Sequence, residues 1–472
     1  MLENHIISIL QKQLKEDATP SQMRLFKTLS AFTLNTEDDA LFIVKGYAGT
    51  GKTTAISTYV EALDKLGWKS VLLAPTGRAA KVLSSYSGRP AFTIHKKIYR
   101  QKSSKDGFGK FVLDKNLHSR TVFIVDEASM ISDSNQEGSV FGSGNVLTDL
   151  LEYVYNGKGC KLLLAGDTAQ LPPVGLNISP ALNKQDMESY SDTLMIEELK
   201  EVVRQKKESG ILNAATVIRN RLDTNDFSLP LFSISGYSDI ERIGGEGLIE
   251  NIASSYDKFG INDTIVVNRS NKRANKYNQG IRNTILYREE ELVPGDLLMV
   301  VKNNYFWLKD REDLGFIANG DIIEVVRIRK HYEIYGYRFA DCTIRLIDYD
   351  IELDVKLMLD VLYEESPALG AQKNKEFFYA ILEDYNHLKP KRKQFDSVKN
   401  NAYFNAIQVK YAYSITCHKS QGGQWKAVFV DQGYMDKSQV DREYLRWLYT
   451  ALTRATEKVY LVNFPDFFFV ED

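Results

Sequence analysis

Gly46, Gly49, Gly51, Lys52 and Thr53 stand at G-x-x-x-x-G-K-T spacing inside the stretch GYAGTGKTT, Gly46 to Thr54. Residues of these types at this spacing cradle phosphates. The glycines let the backbone turn tightly and aim N–H groups at phosphate oxygens, the lysine reaches the β- and γ-phosphates, and the following hydroxyl ligates Mg²⁺. Thr50 and Thr54 belong to the same expected nucleotide-binding set. Downstream, Val122-Phe123-Ile124-Val125 runs into Asp126-Glu127, an apolar strand ending in paired carboxylates. Asp126 can hold Mg²⁺ through water, and Glu127 can act as base or orient the attacking water. Gln170, in the turn GDTAQLPP, can sense a γ-phosphate because an amide both donates to phosphate and accepts from water. Arg204 in ELKEVVRQ and Arg454 in YTALTRA are candidate cations for the charge that develops during phosphoryl transfer, a role worth roughly 10³–10⁵ in rate. If both reach the nucleotide, it lies in an interdomain cleft that closes on binding and opens on hydrolysis.

These residues need a scaffold. Apolar runs recur at Leu41–Val44, Val71–Ala74, Val122–Val125 and Lys161–Ala165, with helical patterns between most of them. This predicts an α/β domain with a mostly parallel sheet and its functional loops at the strand C-termini. Before the first strand, Thr19-Pro20-Ser21-Gln22 reads as a helix start, with Thr19 as N-cap and Gln22 closing a capping box. The alternative for Gln22 is an amide that reads an adenine edge. Between the second and third strands, residues 96–118 read as a projecting β-hairpin with Asp106-Gly107 at its turn. Residues 132–145 (SDSNQEGSVFGSGN) read as a mobile loop.

A domain boundary falls near residues 206–226, and a second α/β domain is evident from Thr264. Its core returns at Tyr411–Thr416, Val428–Asp431 and Val459–Val462. In between lie a β-prone stretch, Asp321–Leu353, and a charged aromatic stretch read as helical, Val355–Lys399. The resulting division is 1–205 for the first domain, 206–320 with 405–472 for the second, and 321–404 for an insertion.

Composition narrows the function classes. The 472 residues are 43% hydrophobic and 26% charged, with a formal net charge of −2. A nucleic-acid surface must therefore be a local groove and not a global positive field. No apolar run approaches a membrane span, and the amphipathic start does not read as a secretory signal. The three cysteines, far apart, predict a reduced cytoplasmic protein, and no zinc-ligand spacing is present. Pro75, Thr76 and Arg78 in APTGRAAK, Thr93 and His95 in FTIHK, and Thr416, His418 and Lys419 in YAYSITCHKSQGGQW supply hydroxyls, cations and rings after strands. Such groups suit backbone phosphates and base stacking on single strands.

Taken in order, GYAGTGKTT, APTGRAAK, FTIHK, DEASM, GDTAQLPPV, the EVVRQ arginine, VVNRSNKRANKYN, YAYSITCHKSQGGQW and LYTALTRA resemble the motif series of superfamily 1B DNA helicases, in the RecD-like and Dda-like branch. The resemblance spans about residues 19 to 455. It implies two RecA-like motor domains, a strand-separating pin at the hairpin with Phe108 as wedge, and an SH3-like accessory insertion with an extension reaching toward the pin. It implies ATP and Mg²⁺ as cofactors, the latter on Thr53 and Asp126, and 5′-to-3′ movement on single-stranded DNA with unwinding at junctions. Asn268 joins the strand contacts, and Gln421 and Gly422 sit where the groove meets the ATP site. A monomeric stand-alone motor core is expected, with single-strand-binding or replication proteins as candidate partners. Two rival readings are an RNA helicase of the same superfamily and a regulatory P-loop ATPase that does not translocate.

Overall fold

The computed structural model describes residues 2–14, 18–101, 111–133, 142–201, 209–308 and 316–470. Among these, the first lobe carries β1 (Leu41–Gly46), β2 (Lys69–Ala74), β3 (Ala91–Thr93), a hairpin of β4 (Tyr99–Gln101) and β5 (Phe111–Leu113), then β6 (Thr121–Val125), β7 (Lys161–Gly166) and β8 (Leu194–Leu199). Six of them form one parallel sheet in the order β3-β2-β6-β7-β1-β8. Its central strands are apolar at nearly every position because both faces are covered. In β1, Leu41 and Ile43 enter one core and Phe42 and Val44 the other, and β6 and β7 alternate in the same way. The phosphate loop, Asp126 and Asp167 follow the C-terminal ends of β1, β6 and β7, side by side in the sheet.

The sheet of the second lobe, which the helix Gly210–Asp223 precedes, begins with β9 (Ile240–Ile243) and β10 (Thr264–Asn268). The chain then leaves it for a closed barrel of β11 (Leu297–Val300), β12 (Ile322–Ile334), β13 (Tyr337–Leu346), β14 (Ile351–Met358) and β15 (Ile407–Tyr411). It returns through β16 (Ser414–Thr416), β17 (Trp425–Asp431) and β18 (Ala455–Val462), giving a parallel sheet ordered β16-β10-β17-β18-β9. Two parallel-sheet lobes with a hairpin excursion and a barrel insertion are thus the architecture.

The barrel differs in detail from the sequence reading. It takes β11 and β15 from outside residues 321–404. The stretch read as one strand, Tyr411–Thr416, is split: Tyr411 closes the barrel, and the sheet resumes at Ser414. Residues 355–358, read as the start of a helical stretch, end β14. Ile351, Leu353, Val355 and Leu357 alternate with Glu352, Asp354 and Lys356, a two-residue period that suits a strand packed on one face. Helices Ala371–Leu382 and Lys391–Lys399 follow and pack an aromatic cluster of Phe377, Phe378 and Phe404 against the barrel.

Both connections to the barrel are tied at one buried carboxylate. Asp296, just before β11, is fully buried and accepts from Arg282 and Arg288 at 3.0 Å, from the Tyr413 hydroxyl at 2.9 Å and from the Val293 N–H at 2.9 Å. Tyr413 lies two residues past β15, so the chain enters and leaves the barrel through the same cluster. A buried carboxylate with this many charged and neutral donors is well compensated, and loss of one cation would leave the rest unbalanced.

The barrel also touches the first lobe. Lys81 pairs with Asp348 at 3.2 Å, and Asp321 Oδ1 lies 2.8 Å from where a Cβ on Gly77 would sit. The hairpin base is buttressed by the connector between β11 and β12: Tyr305 stacks 4.5 Å from Phe111 and 4.9 Å from Phe316. The end of the Ser/Gly-rich segment meets the same base, where the Gly142 N–H donates to the Phe111 carbonyl at 2.7 Å. Phe108 and Arg204 lie outside the described residues, as do 134–141 of that segment.

Candidate nucleotide and strand site

The phosphate loop has the backbone its glycines were expected to provide. Gly49 and Gly51 adopt φ of 78° and 82°, and Gly51 sits immediately before the helix Lys52–Lys65. These values lie in the left-handed region that residues with a Cβ adopt only with strain. At Gly46 the limit is space: a Cβ would meet Thr50 Oγ1 at 2.8 Å and Lys52 Cγ at 3.0 Å. Lys52 Nζ donates to the Gly46 carbonyl and, at 3.0 Å, to that of Tyr47, so its ammonium is curled back over the loop. Thr53 is half-buried at the helix start and Thr54 faces solvent.

Asp126 follows β6 opposite this loop. Burial, then the Glu127 charge, push its carboxyl up to about 6, and Lys52 acts in the other direction. A hydroxyl and a carboxylate are hard oxygen donors that fit Mg²⁺, and a nearby cation would favour the ionised carboxylate. Glu127 has φ of 55°, a left-handed conformation on a residue with a side chain. The turn that imposes it also lets the Glu127 N–H donate to Asp126 Oδ1 at 2.8 Å. Backbone strain of this kind costs about 1–3 kcal/mol and persists where its surroundings hold it.

Gln22 makes the capping box of its first sequence reading. Its Oε1 accepts from the Thr19 N–H at 3.0 Å, while Thr19 Oγ1 accepts from the Gln22 N–H at 3.3 Å, which is the capping box. Its Nε2 is buried without a partner among the described residues, so a donor is left over for a base edge. Gln170 is likewise buried with Oε1 unpaired. It lines a small cavity with Asp167, Ser129, Ser179 and Arg446.

The two lobes meet over the phosphate loop. Tyr47 donates to Asp223 of the second lobe, and Arg219 lies 4.9 Å from its ring centroid. The Ala48 N–H donates to the Tyr449 hydroxyl at 2.7 Å, and that hydroxyl donates to Asp167 Oδ2 at 2.8 Å. The Leu171 N–H donates to Thr450 Oγ1 at 2.9 Å, and the Leu171 carbonyl accepts from Gln421 Nε2 at 2.7 Å. Tyr449 and Thr450 lie on the helix Arg442–Leu452. Arg454, just beyond that helix, is buried and donates to the carbonyls of Thr450 and Gly423 and to Thr453 Oγ1. Those partners all belong to the second lobe.

On the other side of the same seam, Pro75, Thr76 and Arg78 stand half-buried after β2. Thr76 caps the helix Gly77–Ser87 by accepting from the Ala79 N–H at 3.2 Å. Arg78 stacks 4.0 Å over Trp425 and donates to the Gln424 carbonyl. Gly422, expected where the groove meets the ATP site, packs on this corner: a Cβ there would meet Ala79 Cβ at 2.8 Å and Thr76 Oγ1 at 3.1 Å. Thr93 is buried and caps the short helix Ile94–Ile98. His95 lies on that helix, 5.7 Å from the Tyr99 ring, and burial pushes its imidazole down to about 4. Asn268, at the end of β10 beside Thr416, is fully buried and donates to Ser414 Oγ at 2.7 Å. Thr416, His418 and Lys419 are half-buried in the next turn, where burial lowers the pKa of both His418 and Lys419.

The model of an AAA domain matches residues 20–227, and that of a UvrD-like helicase C-terminal domain matches residues 411–462. The chain is 31% identical over 175 residues to the ATP-dependent RecD2 DNA helicase of Deinococcus radiodurans, covering 37% of this chain and 21% of that one. It is 27% identical over 279 residues to the ATP-dependent DNA helicase dda of Enterobacteria phage T4, covering 54% of this chain and 55% of that one. The chain is thus similar in both of its halves to helicases of superfamily 1B. A Pif1 helicase from Bacteroides, solved in complex with ADP-AlF3 and ssDNA, aligns over 97% of this chain and 95% of that chain at 16% identity and a TM-score of 0.47. The chain spans only about half of the phage relative and about a fifth of the Deinococcus one.

Tyr449, Tyr47 and Arg446 were not singled out from the sequence. Tyr449 stands inside the quoted LYTALTRA motif, but its partner Ala48 is 401 residues away. No local spacing announces such a contact. Arg446 lies in no quoted motif, and only its place in the cavity beside Gln170 draws attention to it. Among the described residues, no helix is long and apolar enough to cross a membrane.

Proposed function

We propose that this chain is an ATP-driven motor that moves 5′ to 3′ along single-stranded DNA and separates the duplex ahead of it, acting as a monomer in the cytoplasm. The observation that carries this reading is that one seam joins the phosphate loop and the strand-side corner. The phosphate loop and the helix Arg442–Leu452 share hydrogen bonds across it, and a few residues away Gly422 rests on Thr76. A change at the nucleotide is therefore mechanically adjacent to the strand contacts. The names of the Deinococcus and phage relatives support DNA as the track.

In this reading the loop N–H groups and Lys52 hold the β- and γ-phosphates, and Gln22 Nε2 meets the adenine edge. Thr53 and Asp126 would hold Mg²⁺, which when bound neutralises charge on the phosphate oxygens. Glu127 orients water, and Gln170 senses the γ-phosphate. Arg204 and Arg454 supply cations. For Arg454 this requires release from the Thr450 and Gly423 carbonyls as the lobes close. Pro75, Thr76, Arg78, His95, Thr416, His418 and Lys419 line the strand. Asn268 and Thr93, both buried, shape the loops that touch it. Opening a base-pair step costs about 1.4 kcal/mol on average. The hairpin, with Phe108 as its wedge, needs only to block re-pairing while the strand advances.

Strand displacement on 5′-tailed and 3′-tailed duplexes tests activity and polarity together. Displacement of the 5′-tailed substrate alone is expected, and it should vanish with Lys52→Ala along with ATP turnover. Preference for the 3′ tail would overturn the polarity, and near-normal turnover in Lys52→Ala would overturn the site.

A further inference from the structure

Tyr449 is 1% exposed in the seam, and its hydroxyl is shared between two groups of the opposite lobe. The direction of both bonds is forced: the Ala48 N–H can only donate, and the Asp167 carboxylate accepts the phenolic proton. Burial, then the Asp167 charge, hold the phenol well above its ordinary range, so the proton stays on the tyrosine. Asp167 Oδ1 accepts from the Ala169 N–H at 2.9 Å, which fixes the turn carrying Gln170. Leu171 ends that turn and is held by Thr450 on one side and Gln421 on the other. The next residue, Gly422, presses on Thr76 and Ala79. One phenol and one five-residue turn therefore join the phosphate-loop backbone to the strand-side corner.

Both of its partners would feel a bound triphosphate. The Ala48 N–H belongs to the loop that cradles phosphates, and the Asp167 turn carries the unpaired Gln170 Oε1. We propose that Tyr449 is a positioning residue whose hydroxyl couples occupancy of the phosphate loop to the strand contacts at Thr76 and Gly422. This rests on the motor reading above and assigns it a specific mechanical link. The ring fills the seam, while the hydroxyl makes the coupling, so Tyr449→Phe separates the two.

The experiment measures the affinity for a fluorescent single-stranded oligonucleotide by anisotropy, with and without ADP–aluminium fluoride, for the parent, Tyr449→Phe, Asp167→Asn and the double variant. Coupling between two sites is commonly 5–150-fold and is reciprocal. In Tyr449→Phe the nucleotide-dependent change in strand affinity is expected to shrink at least about fivefold. Strand affinity without nucleotide should stay within about threefold, and the melting midpoint within about 3 °C. The double variant should lose no more coupling than the greater single loss, because both remove one connection. Parental coupling retained in Tyr449→Phe overturns the proposal. So do multiplicative losses in the double variant. If Tyr449→Phe melts early, Asp167→Asn carries the same test, since it weakens the bond from the other end. A parent whose strand affinity ignores the nucleotide would instead overturn the motor reading itself.

Discussion

Gln22 illustrates how a single side chain can serve two purposes with its two ends. Its carbonyl oxygen closes the capping box and its amide nitrogen is left unpaired. The two roles can be pulled apart by mutation. Gln22→Ala should cost about 1 kcal/mol of stability through the cap and should narrow the ratio of kcat/KM for ATP over GTP. Thr19→Ala should cost a similar amount and leave that ratio unchanged, because Nε2 is untouched. Thermal melting and competing-nucleotide kinetics read the two effects. A ratio that falls equally in both variants would show that the cap alone governs the site. The phosphate loop was legible in the sequence because its chemistry is local, set by three glycines, a lysine and a hydroxyl within eight positions. Gln22 was ambiguous because capping and base recognition use the same amide.

At the level of elements, the hairpin depends on a support that its own sequence does not contain. Phe111, at the base of β5, packs on Tyr305 from the connector between two barrel strands. An aromatic pair of this kind is worth about 0.5–1.5 kcal/mol beyond its buried area. Tyr305→Ala should therefore loosen the hairpin, slowing displacement of a tailed duplex several-fold. ATP turnover stimulated by a single-stranded oligonucleotide should stay within about twofold, since this contact lies outside the phosphate loop. Equal loss of both would mean that Tyr305 holds the lobe and not the hairpin. The sequence reading placed the accessory extension near the hairpin, yet the contact shown here comes from the connector. Connector residues carry no periodic signal, which explains why the partner could not be read. The same limit applied to β14 and β15. Their residues alternate clearly, but barrel closure depends on pairing Leu357 with Ile407 across a helical excursion, which no local pattern encodes.

For the molecule as a whole, the barrel is rooted in one lobe and leans on the other. The lean carries an acidic cluster. Burial pushes the Asp321 carboxyl up to about 7, and nearby Asp348 acts in the same direction. The group is thus raised above its unfolded value, so the native state holds an extra proton between about pH 4 and 7. Stability is greatest below that window and is lost as pH rises through it. Asp321→Asn keeps an acceptor for the Ala318 N–H and removes the charge. It should match the parent near pH 4 and exceed it above pH 7 by roughly 1–4 kcal/mol, as read by denaturant melts across pH. No gain at high pH would show that the carboxyl is already relieved by its surroundings. The two-lobed plan was legible from strand order and spacing. This contact was not, because Gly77 and Asp321 are far apart in the chain and neither belongs to a recognisable pair.

The Asp296 cluster has one further consequence. Because the barrel's incoming and outgoing chains are fastened to the same carboxylate, the barrel has no swivel at its root and travels with its own lobe. At its far side the barrel meets the first lobe through Lys81, which pairs with Asp348 and donates to the Ile347 carbonyl at 3.2 Å. A shift of the second lobe is therefore carried through the barrel to the first-lobe helix Gly77–Ser87, on which Lys81 stands.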